Sequence, residues 1–176
     1  MPSPIQNKNI VLGVTGSIAC YKAADLASKL VQSGALVDTI LTEAATEFVS
    51  DLTFKSLTHR EVYTSLYSQD SNLSINHVAL AESADLIIVA PATANTIAKI
   101  ANGISNDVLT TTILATTAPI IIAPAMDANM FDNPATEANV TTLIGRGFFI
   151  AGPAEGRLAS GLMGKGRMIE PFDIMG

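Results

Sequence analysis

The chain has 176 residues, 48% of them apolar and 15% charged, with a formal net charge of −6. That length suits one domain with a real core, and the apolar share excludes a disordered chain. Acids and bases are scattered rather than blocked, so no basic face offers itself to nucleic acid.

Cys20 is the only cysteine, which rules out an internal disulfide and makes a reducing cytoplasm the expected location. The N-terminal stretch MPSPIQNKN has no apolar signal core. No run approaches the ~18 apolar residues of a membrane span. The chain stops at EPFDIMG without a closing signal, which leads us to expect the N-terminal part of a longer protein.

Ile10–Val14 predicts a buried strand, and TGS then opens a helix. From Ile18 to Ser33, Cys20, Ala23, Ala24, Ala27, Leu30 and Val31 recur at helical spacing, with Gly34 suited to end the helix. ALVDTILT (35–42) predicts a second strand that feeds TEAATEF, with Thr42 as N-cap and Glu43 early in the turn. Residues 51–76 are polar and irregular and predict a short helix and a loop. VALAESA after His77 is helical, and DLIIVAP (85–91) runs without alternation, as a parallel strand covered on both faces does. TANTIAKIANG starts another helix. APIIIAP (118–124) is a further buried strand, residues 134–147 a helix opened by proline, and FFIAGP (148–153) a last strand.

Strand–helix alternation of this kind predicts a single α/β domain over residues 1–176. Its sheet is doubly wound and parallel, Rossmann-like or flavodoxin-like, with helices on both faces. Ligands of such sheets bind outside the carboxyl ends of the strands. The loops to examine are therefore TGSIA, LTEAA, APATANT, APAMDANM and the Gly-rich tail GRLASGLMGKGRM.

GVTGSIA places Gly16 and Ser17 where free N–H groups favour a phosphate. Its G-x-x-G-S spacing leans toward a mononucleotide, although a plain strand–helix turn capped by Ser17 has the same sequence. Glu43 could instead be the ribose-binding acid of a dinucleotide site. APATANT crowds Thr93, Asn95 and Thr96 at a second strand end, more than capping needs, which suggests a phosphate or a flavin ring. In IIIAPAMDANMFDNPA (120–135) the strand breaks at Pro124 into a Met-rich loop with the carboxylate Asp127 at the break. By position alone His77, preceded by Ser74 and Asn76, is a surface residue, as is His59 in LTHRE. Cys20 lies on the helix stripe and is expected to be a buried structural thiol. No Cys/His cluster has metal spacing, and there is no G-x-S-x-G.

Taken together, GSIACYK, NHVALAESADLIIVAPATANTIAKIANG, APAMDANMFDNPAT and ASGLMGKGRM resemble, in order, the motifs of the flavin-dependent cysteine decarboxylases. Within that family the chain is most similar to the phosphopantothenoylcysteine decarboxylases of coenzyme A biosynthesis. These are commonly the N-terminal half of a bifunctional enzyme with a synthetase. The resemblance implies FMN at the carboxyl edge of the sheet, contacted by Gly16, Ser17, Ile18, Thr42, Glu43, Ala44, Thr93, Ala94, Asn95, Thr96 and Ala125. It places His77 on the family's active-site histidine, overriding the positional reading. Asp127, Met130, Arg157, Ala159 and Met168 fall on substrate contacts. It also implies a homo-oligomer, a trimer or a trimer-based dodecamer, with flavin at subunit interfaces.

In the chemistry this implies, oxidation of the substrate thiol to a thioaldehyde lets the pair left by CO₂ delocalise into an enethiolate. The flavin takes the hydride and, in the coenzyme A branch, returns it. His77 would serve as base or as electrostatic partner. Two positions depart from the pattern. Relatives carry Asn where this chain has Asp127, and a proton-donating cysteine where it has Ser160. A carboxylate cannot copy the amide's contact with the substrate carboxylate, because the two repel. That leaves a protonated Asp127, a bridging cation (Arg157, Lys165 or Arg167) or a water, and the three cations of the tail favour the second. Ser160, a far weaker acid than a thiol, leaves open a peptidyl-cysteine decarboxylase that stops at the enethiol. It equally leaves open a catalytically impaired FMN-binding regulatory subunit. Flavin prenyltransferases, also related, favour a G-A-S-G first loop.

Overall fold

The computed structural model describes residues 3–67 and 76–176. Its main sheet takes β1 (Asn9–Val14), β2 (Leu36–Leu41), β3 (Val62–Tyr63), β4 (Leu86–Ala92), β5 (Ile120–Pro124) and β6 (Phe149–Ile150) in the order β3-β2-β1-β4-β5-β6. Every pairing in it is parallel. This is the dinucleotide-fold order rather than the flavodoxin order, and its winding reverses between β1 and β4.

The two-sided burial of the central strands explains their unbroken apolar sequences. Ile10, Leu12 and Val14 of β1, with Ile88 and Ala90 of β4, point into one core, beneath α1 (Cys20–Gln32) and α3 (Asp51–Thr58). The intervening Val11, Ile87 and Val89 point into the other. That second core lies under α5 (Ala94–Asn102), α6 (Val108–Ala115) and α8 (Pro134–Gly145). With a side-chain period of two, each strand feeds both cores and no polar face is left.

Of the helix stripe read from the sequence, Cys20, Ala23, Ala27 and Leu30 are buried and Ala24 and Val31 are half-buried, while Leu26 joins the buried face. Gly34 follows α1 at φ +88°, a left-handed position that glycine takes without strain. Gly103 ends α5 in the same way, at φ +68°. Thr42 caps the short α2 (Glu43–Thr46) as expected.

Four features depart from the sequence reading. α6 escapes a periodicity search because VLTTTILA is buried on most sides. Asp107 starts it with a reciprocal capping box to Thr110, and the Thr112 hydroxyl bonds back to the Val108 carbonyl at 2.7 Å. The last sheet strand shrinks from 148–153 to Phe149–Ile150. The Gly-rich tail is an antiparallel hairpin, β7 (Ala154–Arg157) and β8 (Met163–Arg167), rather than a loop. Within the irregular 51–76 stretch, the short β3 edge strand follows an Arg60–Asp38 pair bonded twice at 2.9 Å. Ser74 lies outside the described residues. The remaining helices are α4 (Asn76–Ser83), α7 (Ala128–Phe131) and α9 (Pro171–Met175). Among the described residues no helix is long and apolar enough to cross a membrane.

Candidate functional site

The loops after β1, β2, β4 and β5 meet at the carboxyl edge of the sheet. Thr15, 1% exposed, ties two of them together. Its hydroxyl donates to the Pro91 carbonyl at 2.7 Å and accepts the Thr93 N–H at 3.0 Å. At Gly16 the first and second loops touch. A Cβ there would stand 2.5 Å from the Ala44 Cβ and 3.0 Å from the Ala44 carbonyl carbon and oxygen. Only glycine lets the backbone approach this closely. Ser17 turns the chain into α1, its hydroxyl accepting the Ala19 N–H at 3.2 Å. Thr93 caps α5, accepting the Thr96 N–H at 3.2 Å. The N–H groups of Ala94 and Asn95, in the first turn of α5, have no partner inside their own helix.

These loops line a cavity of about 470 Å³. Gly16, Thr42, Glu43, Ala44, Thr93, Ala94, Asn95 and Thr96 border it, joined by Met130, Asn106 and the Lys99–Asp107 ion pair at 3.4 Å. A second cavity, about 480 Å³, opens on the other side of the Gly16–Ser17 turn. Ser17, Ile18, Ala125, Asp127, Arg157, Ala159, Ser160 and Met168 line it, with Lys22 and Arg167. The positions expected from the sequence thus line these two cavities, except His77 and the candidate cation Lys165. His77 sits half-buried in the first turn of α4 and borders neither cavity.

Asp127 is held otherwise than the sequence suggested. Its Oδ2 accepts the Ser160 hydroxyl at 2.8 Å, and its Oδ1 accepts the Asn129 N–H at 3.0 Å, capping α7. Arg157 and Arg167 share its cavity, but among the described residues Asp127 has no ion pair, and Lys165 is not in the cavity lining. Its direct side-chain partner is a hydroxyl, and two of the cations expected to bridge it to a substrate carboxylate stand in the same cavity. Arg167 is already engaged with Glu170 at 2.9 Å.

Lys22 was missed by the sequence reading. It is 4% exposed, and its Nζ donates to the Met168 carbonyl and to Glu170 Oε1, each at 2.8 Å. A buried ammonium is tolerated only with such partners. The signal was present, since Lys22 shares the four-residue spacing of Leu26 and Leu30 on the buried face of α1. Lys22 thereby fixes the end of the hairpin to the first helix. Its bond, with Arg167 adding to it, holds the Glu170 carboxyl below the usual glutamate range. A lowered carboxyl contributes stability above its unfolded value, and that contribution is lost as pH falls through the folded one. Glu170→Gln should therefore lower the melting temperature at neutral pH and flatten its decline below about pH 4. Asp85, held low by the Asn9 N–H and Lys8, titrates in the same direction and should leave a residual slope. Thermal scans of both proteins from neutral to acid pH check this, and parallel curves would refute it.

Cys20 is buried as expected. Its thiol donates to the Thr15 carbonyl at 3.2 Å, and burial pushes the thiol up, keeping it protonated. No group of His, Cys, Asp and Glu among the described residues could hold a metal ion.

The chain resembles known proteins along nearly its whole length. It is 53% identical over 171 residues to the coenzyme A biosynthesis bifunctional protein CoaBC of Bacillus subtilis (strain 168), covering 97% of this chain and 42% of that one. It thus spans less than half the length of the curated relatives it matches. Among solved structures, a PPC decarboxylase mutant complexed with pantothenoylaminoethenethiol superposes with a TM-score of 0.84 at 31% identity, covering 97% of this chain and 95% of that one. The FMN binding protein AtHal3 superposes with a TM-score of 0.81, also at 31% identity, covering 97% and 94%. The Flavoprotein profile matches residues 1–176 from end to end, and the chain belongs to the flavoprotein family.

Proposed function

We propose that this chain carries out the FMN-dependent decarboxylation of phosphopantothenoylcysteine to phosphopantetheine in coenzyme A biosynthesis. The observation that carries the proposal is the near full-length likeness to a PPC decarboxylase that holds pantothenoylaminoethenethiol, joined to a cavity in which Asp127, Arg157, Ala159, Ser160 and Met168 converge. A cytoplasmic location and a synthetase domain in the same protein, as in the bifunctional relatives, belong to the same proposal.

The residues at the sheet edge fit FMN. The close Gly16–Ala44 approach brings the first two loops together around the cavity, and the first turn of α5 offers N–H donors beside Thr93 and Asn95. Gly16, Ser17, Thr42, Glu43, Ala44, Thr93, Ala94, Asn95 and Thr96 would hold the cofactor, with Ile18 and Ala125 reaching it from the neighbouring cavity that they line. Bound FMN supplies reversible two-electron chemistry at the thiol-bearing carbon of the substrate.

The protein's own part is to bind and to move protons. Arg157 and Arg167 place positive charge in the substrate cavity, opposite the repelling Asp127. Met168 and Ala159 cover apolar surface there, and Met130 does so at the rim of the neighbouring cavity. His77 acts as base or as electrostatic partner for the thiol and carboxylate. Since His77 borders neither cavity of its own protomer, this role needs a second protomer. We therefore propose a homo-oligomer built in threes, with His77 completing a site at a subunit boundary.

Incubating the FMN-loaded protein with phosphopantothenoylcysteine should release CO₂ and give phosphopantetheine by mass spectrometry. Absence of CO₂ would overturn the proposal and return the chain to a regulatory FMN-binding role. A second reading, release of the enethiol two hydrogens lighter, is favoured by one observation. Ser160 replaces the relatives' thiol, and its hydroxyl proton is directed at Asp127.

A further inference from the structure

Asp127 and Ser160, the two positions that the family resemblance marked as departures from its pattern, lie 33 residues apart and touch each other. We propose that Asp127 and Ser160 form a single latch that holds the hairpin turn over the substrate cavity. Ser160 is then a positioning residue, and the two departures constitute one paired substitution. The geometry of the latch stands by itself, while its bearing on substrate rests on the decarboxylase proposal above.

Ser160 lies in the turn joining β7 to β8. The Gly161 N–H bonds to the Leu158 carbonyl at 2.9 Å, and the Leu158 N–H to the Leu162 carbonyl at 2.8 Å. Arg157, the last residue of β7, and Ala159, in the turn, both line the cavity. Farther along, the hairpin is held by the Met126 N–H on the Gly166 carbonyl at 2.9 Å and by Lys22 on the Met168 carbonyl. Ser160 ties the turn itself to the loop after β5.

The chemistry of the pair is selective. Both carboxylate oxygens of Asp127 receive a donor, the Asn129 N–H on one and the Ser160 hydroxyl on the other. An amide at position 127 has one acceptor oxygen, so it can serve either donor but must turn its NH₂ toward the other. A thiol at 160 would be a weak, long donor to the carboxylate. An amide at 127 keeps the contact only in reversed and weaker form, its NH₂ donating to the Ser160 hydroxyl oxygen without the carboxylate's charge, whereas loss of the hydroxyl removes it.

Hydrogen exchange on the intact chain with added FMN and no substrate tests the latch without reference to turnover. Asp127→Asn keeps a good helix cap for α7, and Ser160→Ala leaves that cap untouched, so neither should disturb the fold. Ser160→Ala should speed exchange of the Leu158 and Gly161 amides about 5-fold, the scale of one solvent-facing hydrogen bond, and Asp127→Asn should speed it by less. The double variant should show no further increase. Exchange unchanged in both single variants, or single effects that multiply in the double, would overturn the latch. A chain that passes this test yet releases no CO₂ would retain the latch and lose only the decarboxylase proposal.

Discussion

Replacing His77 by asparagine should lower decarboxylation at least ~10²-fold, the usual scale for loss of a general base, while folding and FMN content stay unchanged. Its position explains why the prediction has a second half. His77 is in α4, which packs on α6, and it lines neither cavity of its own protomer. If it works on a site in a neighbouring protomer, mixed oligomers should complement. A His77→Asn chain combined with a chain disabled only in its flavin loops should recover part of the activity that neither has alone. Near wild-type turnover of His77→Asn would return the residue to an ordinary place on the surface. Loss without complementation would place it within its own protomer's site.

The second large effect concerns the flavin. Gly16→Ala puts a methyl 2.5 Å from the Ala44 Cβ and 3.0 Å from the Ala44 carbonyl, atoms that can yield only if the two loops part. Overpacking of this kind costs about 1–3 kcal/mol, which corresponds to roughly 10- to 100-fold weaker FMN binding if the cost falls on the loop geometry. Gly145→Ala in α8, where a Cβ meets nothing within 4 Å, is the control and should bind FMN as the parent does. Fluorescence titration of both apoproteins measures the difference. Equal affinities would mean that the cofactor does not use the Gly16 approach.

The sheet was legible in the sequence because its strands are buried on both faces. IVLGV, DLIIVAP and APIIIAP read as unbroken apolar runs, and the glycine at 34 marked the end of its helix. What escaped notice shares a physical cause. α6 has no polar face to create a period, and in β7 and β8 the inward positions are alanine or glycine, so AEGR and MGKGR carry no apolar–polar alternation. Single residues divide in the same way. The cofactor loops announced themselves through Gly, Ser, Thr and Asn at strand ends. Lys22 was concealed by its long stem among alanines and leucines, and Asp127 was legible as an anomaly but not as a partner of Ser160. No local pattern reports a contact across 33 residues.

The threonines at the carboxyl edge have a consequence for selectivity. Thr15 uses its proton on Pro91 and a lone pair on Thr93. Thr93 accepts from the Thr96 N–H and donates to the Thr96 hydroxyl at 3.2 Å, and Thr42 accepts from the Ala45 N–H. These hydroxyls look like ligand contacts in the sequence, yet they are largely committed to holding one loop against the next. The main chain is left as the principal donor surface, and its N–H groups do not change rotamer. Such an edge would sort ligands by the spacing of their acceptor atoms more than by side-chain identity. The loops could then drift in sequence while still accepting the same ligand, provided the threonine braces and the Gly16 contact are kept.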